Sequence, residues 1–298
     1  MKPFNSSLPS SGSQLLSSSQ PLVSIITVVF NGAAYIEQSI KSVLEQTYAN
    51  IEYIIVDGAS TDGTLDIIKK YKSNIDTFIS EKDTGIYNAM NKGLKLAKGD
   101  VIAILNADDY YYPETIESVV NQFESSSADV VYGNMTKLRE LNAQEYFKEV
   151  EPDISIIEKT MPIFHPATFI KKKVYDAVGE FNEVYRLSAD YDFIYRVYKS
   201  GFQFEYLPKS LAVFRIGGVS NVNCNSYKEG YQILKSHNSP HAPAMKSLIT
   251  KCQIKNLLRS TFSFGITLLG LKSWNERRLA RKWGVTTRLN GCGGQSAG

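Results

Sequence analysis

The chain has 298 residues, enough for one large domain or two ordinary ones. Hydrophobic residues make up 43% of it, with 18 Tyr and 14 Phe, so it can bury a sizeable core and is not a globally disordered protein. The net charge of +3 is unevenly spread. From His241 onward ten Lys or Arg face a single acid, Glu276, so that segment carries +9 and the preceding 240 residues −6. A basic tail on an acidic body points to an anionic partner, a membrane or a nucleic acid.

Residues 1–20 hold eight serines and lack the basic start and apolar core of a signal peptide, so they read as a disordered leader. Order begins at Leu22. Leu22 to Phe30 is a β-branched, continuous run, the pattern of a strand buried on both faces. Asn31-Gly32 breaks it, and Ile36, Ile40, Val43 and Leu44 mark one face of a helix. Ile51 to Asp57 is a second strand ending on an acid. After the turn GASTDGT, Thr61 or Asp62 is positioned to cap a helix containing Leu65, Ile67 and Ile68. A third strand is expected over Ile75 to Ile79. A helix with Ile86, Met90, Leu94 and Ala97 aligned follows, closed by Gly99. Val101 to Leu105 is the fourth strand.

Beyond Pro113 the pattern predicts a helix to about Phe123, a strand over Asp129 to Tyr132, and antiparallel strands between Asn134 and Lys148. Pro162 to Glu183 reads as a short strand, a short helix ending at Gly179, and a loop. Leu187 to Gly201 is a helix with Ser188 at its N-cap and Gly201 at its C-cap. FQFEYLP and SLAVFRIGG supply two more strands, the second ending at Gly217-Gly218. After about Tyr227 the chain reads as helical and basic, and 291–298 as a disordered tail. The β-α alternation with short connections predicts a parallel sheet with right-handed crossovers.

Polar residues collect where these strands end: Asn31, Asp57, Asp83, and Asn106 with Asp108 and Asp109. The carboxyl ends of strands in open α/β sheets are where ligands bind. Adjacent aspartates there need a cation or hydrogen-bond donors to neutralise them. An all-oxygen set favours Mg2+ or Mn2+ over zinc. The plainer alternative is that Asp108 and Asp109 cap the helix beginning near Pro113. Cys224, Cys252 and Cys292, odd in number and widely spaced, suggest neither a disulfide framework nor zinc-ligand spacing, and a reducing cytoplasm is the compartment that fits.

Six motifs occur in one order: SIITVVFN (Ser24 to Asn31), VDGASTDGT (Val56 to Thr64), EKDTGIYNAMNKG (Glu81 to Gly93), LNADD (Leu105 to Asp109), HPATF (His165 to Phe169) and ADYDF (Ala189 to Phe193). Together they resemble the family 2 glycosyltransferases of the GT-A fold, of the kind that builds bacterial surface polysaccharides, over roughly Leu22 to Ser220. The resemblance implies a nucleotide-diphospho-sugar transferase fold: α/β, Rossmann-like, a mostly parallel sheet flanked by helices. The domain would span 21–225, with a basic helical extension over 226–290. It also implies an inverting transfer from a nucleotide-diphosphate sugar, a UDP-sugar ahead of a GDP- or dTDP-sugar, to a glycan or lipid-linked acceptor.

Carried over residue by residue, the resemblance gives Phe30 a stacking role on the base and Asp57 the acceptor for its ring N–H. For these two, core packing and turn initiation are the plainer alternatives. Asp83, and the helix face bearing Asn88 and Asn91, fall where the family lines the nucleotide and sugar pocket. Asn106-Ala107-Asp108 takes the place of the family's D-x-D metal motif. Its first position is an amide here, so the metal would rest on Asp108, with Asp109 in support. Asp190 matches the catalytic base, with Asp192 as its rival two residues away. Arg215 matches a basic residue that closes on the diphosphate, and His165 would contact acceptor or sugar.

No run reaches about 18 uninterrupted apolar residues, so no clear transmembrane helix is expected. Leu257 to Trp274, followed by NERRLARKW, reads either as helices lying on an anionic membrane or as a helical extension packed on the domain. The first option would make the protein peripheral at the inner face of the cell membrane. The basic residues are not interleaved with a reading motif, so no nucleic acid is expected. Two other functions remain open: a nucleotidyltransferase, although the loop NGAAYIEQ has no Lys or Arg to hold a triphosphate, and a non-catalytic sugar-nucleotide-binding protein at the membrane.

Overall fold

The computed structural model describes residues 20–141, 144–217 and 224–268, with the side chains of its last helix described to residue 258. Most of the leader, Gly218, the basic run after Lys255 and the tail at 291–298 lie outside the described residues or their described side chains. The first half alternates strictly: β1 (Val23–Val29), α1 (Ile36–Leu44), β2 (Ile51–Asp57), α2 (Thr64–Lys70), β3 (Thr77–Ser80), α3 (Ile86–Leu96) and β4 (Val101–Asn106). The second half holds β5 (Tyr110–Tyr111), α4 (Thr115–Ser125), β6 (Val130–Leu141), β7 (Gln144–Val150), β8 (Thr168–Lys171), α5 (Lys172–Val178), α6 (Ala189–Lys199) and β9 (Phe204–Arg215). Two helices, α7 (Asn225–Ser236) and α8 (Ala242–Leu268), follow.

The nine strands among the described residues join one sheet in the order β3-β2-β1-β4-β8-β6-β9-β5, with β7 on β6. The four strands from β3 to β4 are parallel, as the alternation predicts. Beyond β4, β8 is antiparallel to both its neighbours, and β6 and β9 run parallel to each other. The sheet is thus a parallel half joined to a mixed half. The continuous apolar strands are explained by cover on both faces. Ile26, Val28, Ile54, Val56, Ile102 and Ile104 pack toward α3 and α6, while Ile25, Ile55, Ala103 and Leu105 pack toward α1 and α4.

Several local expectations shift. The two strands read from FQFEYLP and SLAVFRIGG are one strand, β9, because the ladder with β6 jumps from Gly133↔Leu207 to Asn134↔Ser210. Pro208, which has no N–H to donate, is skipped there. The N-cap of α2 is Gly63, and Asp62 instead accepts from the Thr64 amide and hydroxyl and from the Ala33 N–H. Gly99 does not close α3, which ends at Leu96; it is small because it lies against the backbone of Ser24, 2.6 Å from where a Cβ would stand. Ser188 is the N-cap residue of α6 as expected, but its hydroxyl donates to the Ser226 carbonyl in the first turn of α7.

The cysteine reading needs correction: Cys224 and Cys252 form a disulfide. Spacing of 28 residues hid the pair because α7 and α8 fold back on each other and bring the two together. The widely spaced cysteines therefore do not point to a reducing compartment. Among the described residues no helix is long and apolar enough to cross a membrane.

Candidate active site

The parallel register brings the polar strand ends to one edge, with Val29 opposite Asp57, Val28 opposite Asn106, and Asp57 opposite Ser80. The loops after β1 and β2 are laced together. Asn31 N–H donates to Ser60 Oγ (2.7 Å), Thr61 N–H to Asn31 Oδ1 (2.9 Å) and Gly32 N–H to Thr64 Oγ1 (2.9 Å). Asn31 and Ala59 adopt left-handed backbone, φ +49 and +64, to make these turns. Phe30, just past β1, is 64% exposed, which removes core packing as the reason for an aromatic there.

Asp57 is fully buried. Its Oδ2 accepts from Ser60 N–H (3.0 Å) and Ser80 Oγ (2.6 Å), so it does organise a turn. Its Oδ1 is buried with no partner, an acceptor whose desolvation nothing in the chain offsets. Asp83 stands beside it across Gly58. A Cβ on Gly58 would lie 2.5 Å from Asp83 Oδ2 and 3.3 Å from the Phe30 ring, so the glycine keeps room between them. Asp83 Oδ1 also accepts from Gly85 N–H at the start of α3. Asn91, by contrast, is committed to the protein: its amide bonds both the N–H and the C=O of Phe181 and one oxygen of Glu183. It anchors the 181–183 loop and has little capacity left for a ligand.

At the end of β4 the two acids differ. Asp109 is 1% exposed, and its oxygens accept from Arg215 N–H and Asn106 Nδ2, both at 3.2 Å. Burial, and then the Asp108 charge, push its carboxyl well above the usual range. Asp108 is half-buried, raised by burial and pulled back by its own backbone N–H and by Arg215. Neither acid caps α4, whose N-cap is Glu114 without a side-chain bond. Asn106 Oδ1 is buried without a partner. A divalent cation fits beside Asp108 and this orphaned amide oxygen better than beside Asp109, whose oxygens are already engaged. Among the described residues no cluster of three His, Cys, Asp or Glu forms a complete ligand set.

The Arg215 guanidinium is also committed. It bonds Glu140 and, at 2.9 Å, Gln38 Oε1, and it stacks on Tyr35 with 4.7 Å to the ring centroid. Its Nε is buried without a partner. A diphosphate would have to compete with Glu140 for this fork.

Asp190 opens α6 and is half-buried; its Oδ1 accepts from the Tyr87 hydroxyl (3.0 Å) and Tyr191 N–H (2.9 Å). Asp192 points elsewhere: it pairs with Arg196 at 2.8 Å and lies 3.3 Å from His237 Nε2, so it ties α6 to α7. The His165 ring lies edge-on to Phe181, 5.8 Å between centroids, and senses the Asp190 charge.

With this geometry in hand, the comparisons with known proteins agree on a kinship. Residues 24–179 match the family model described as glycosyl transferase family 2. The chain belongs to that family. A "PGL/p-HBAD biosynthesis glycosyltransferase" of Mycobacterium bovis is 33% identical over 208 residues, 67% of this chain and 80% of the relative. Among solved structures, Staphylococcus aureus TarS 1–349 in complex with UDP-GlcNAc aligns with a TM-score of 0.60 at 19% identity, covering 78% of this chain and 71% of that one. The chain spans 43% of a longer TarS chain. The mannosyltransferase PcManGT from Pyrobaculum calidifontis, in complex with GDP-Man and Mn2+, aligns with a TM-score of 0.55 at 17% identity, covering 89% and 85%. These structural likenesses establish the GT-A fold. The protein is a glycosyltransferase.

Four residues of this glycosyltransferase's candidate site escaped the sequence reading: Tyr87, Glu183, Gln38 and Glu140. Tyr87 sits one turn before Asn91, and that i,i+4 spacing was the available signal that both face the 181–190 segment. Glu183 takes bonds from Asn91, Asn88 and Thr84, which in that order draw its carboxyl below the usual range, but nothing in its own neighbourhood marks it.

His165 gives a pH test. Burial lowers its pKa, with Asp190 working against the shift. The neutral ring is therefore favoured in the fold, and stability is lost as pH falls below about 6.5, where the unfolded chain takes up the proton first. Urea midpoints of His165→Gln and the parent protein should diverge in the variant's favour as pH drops from 7 to 5. Parallel pH curves would contradict this.

Proposed function

We propose that this enzyme transfers a sugar, with inversion, from a nucleotide-diphosphate donor to a hydroxyl of a glycan or lipid-linked acceptor, at the carboxyl edge of the sheet. The observation that carries the reading is the pairing of unsatisfied acceptors and an exposed ring at the ends of adjacent parallel strands. Phe30 offers an apolar face to a base, and Asp57 Oδ1 offers a buried acceptor to a ring N–H. Uracil, thymine and guanine all carry such a ring N–H; the TarS and PcManGT complexes hold UDP-GlcNAc and GDP-Man respectively, so both bases belong in a test.

Asp108 is the charged residue suited to Mg2+ or Mn2+, with Asn106 Oδ1 beside it and Asp109 behind, holding the Arg215 backbone. When bound, the cation offsets negative charge building on the departing diphosphate. Asp83 borders the nucleotide pocket through Gly58, and His165 lines the acceptor side near Asp190. Arg215 would meet the diphosphate only by giving up its pairing with Glu140. Asp190, at a helix N-terminus, takes the acceptor's hydroxyl proton as that oxygen attacks the anomeric carbon, and the bond to the diphosphate oxygen breaks with its electron pair. Single displacement of this kind inverts the anomeric centre.

The C-terminal segment, with its ten basic residues, is suited to an anionic membrane surface at the cytoplasmic face, where a lipid-linked acceptor would be presented. The full chain should sediment with vesicles rich in phosphatidylglycerol, less so in high salt, and not with phosphatidylcholine alone. Equal binding to both would contradict the electrostatic role.

For the chemistry, Asp190→Asn should lower transfer by on the order of 10²–10⁴-fold while UDP or GDP binding persists. Asp108→Ala should remove the Mn2+-dependent part of nucleotide affinity by calorimetry. Turnover retained in the first variant, or affinity that ignores Mn2+ in the parent, would sink the respective assignment.

A further inference from the structure

Tyr87 projects from the first turn of α3 into the core, where its ring packs on Phe181 with 5.6 Å between centroids. Only its hydroxyl reaches a polar partner, and that partner is Asp190, 103 residues away in sequence. The same oxygen, Oδ1, also takes the Tyr191 N–H. Asp190 Oδ2 takes part in neither bond. Phe181, against which Tyr87 leans, is itself clamped by Asn91 through both of its backbone polar groups. Helix α3 and the loop leading to α6 are thereby locked around the carboxylate, and Glu183, bonded by Thr84, Asn88 and Asn91, closes the same seam.

We propose that Tyr87 is a positioning residue for sugar transfer: its hydroxyl and the Tyr191 amide hold Asp190 Oδ1, which leaves Oδ2 as the atom that accepts the acceptor's proton. This rests on Asp190 being the base. In the balanced step, the acceptor O–H proton passes to Oδ2, the acceptor oxygen bonds the anomeric carbon, and the nucleoside diphosphate leaves with the electron pair of the broken C–O bond. Tyr87 keeps its own proton throughout. Burial, reinforced by the Asp190 charge, pushes its phenol well above the usual range, so it remains a donor at any working pH.

The other groups facing this pair are His165, from the turn before β8, and Glu229 on α7. Glu229 also accepts from the Arg186 and Leu187 amides, which fixes the approach to α6 from the far side. A hydrogen bond donated to a carboxylate favours its charged form, so removing the Tyr87 hydroxyl penalises the ionised base.

The test is Tyr87→Phe in the full chain, which keeps the ring on Phe181. Turnover is read as hydrolysis of UDP-GlcNAc or GDP-mannose with Mn2+, whichever the parent enzyme cleaves. The expected result is a kcat lower by roughly 10- to 100-fold, the scale of one hydrogen bond to a charged group. The acid limb of the pH profile should move to higher pH, while donor KM and Mn2+-dependent UDP or GDP affinity stay the same. A carbon-13 titration of the aspartate carboxyls, with the Asp190 signal assigned by its loss in Asp190→Asn, gives the same answer without turnover: its midpoint should rise in Tyr87→Phe. If Asp190→Asn retains turnover, the base assignment falls. If Asp190→Asn is inactive while Tyr87→Phe keeps the parent kcat and titration midpoint, the role of Tyr87 alone is overturned.

Discussion

β1 lies between β2 and β4 in a parallel register that sets Val29 against Asp57 and Val28 against Asn106, and the strand-end part of the candidate site is placed by that pairing. A slip of one residue would turn each of these side chains to the opposite face of the sheet. Both faces are apolar: Ile25 and Ile26 are each completely buried, one toward α1 and the other toward α3. Gly93 on α3 comes so close to Ile26 that a Cβ there would meet its side chain at 2.3 Å. The same tight contact sets how α3 lies on the sheet, and hence where Asp83 and Tyr87 fall.

Charge is concentrated on the edge that this packing creates. Asp57 and Asp109 are buried, Asp108 is half-buried, and the compensation within the chain is incomplete: Asp57 Oδ1 and Asn106 Oδ1 have no partner. Polar atoms left unpaired inside a protein are costly unless a ligand completes them. The division of labour follows from which oxygens are already taken. Asp109 is spent on the Arg215 backbone and the Asn106 amide, Asp192 on Arg196 and His237, and Asn91 on Phe181. Asp57 Oδ1 and Asn106 Oδ1 are left without a partner, and the bonds that hold Asp190 use only its Oδ1.

The parallel half of the fold was legible because its signals are local: β-branched runs four to seven residues long, helical spacing between them, and an acid or amide at each strand end. Asp57 and Asp108 stood out for the same reason, whereas Asp190 came only from the resemblance of ADYDF to the family's motif. What escaped the sequence was decided at long range. The fusion of two expected strands into β9 depends on a ladder that skips Pro208, and the Cys224–Cys252 disulfide depends on how two helices fold back on each other. Arg215 reads as a phosphate-binding residue, yet its partners Gln38 and Glu140 come from distant segments that carry no motif. Tyr87 is one aromatic among 18 tyrosines until α6 is laid beside α3.

The central claim is that the strand-end crevice is the donor site. Crystal structures of the enzyme soaked with Mn2+ and UDP, and separately with Mn2+ and GDP, test it most directly. The account predicts the base against Phe30 with its ring N–H on Asp57 Oδ1, and the diphosphate with its cation at Asp108. A nucleotide seated elsewhere on the molecule, or a cation held without Asp108, would contradict it.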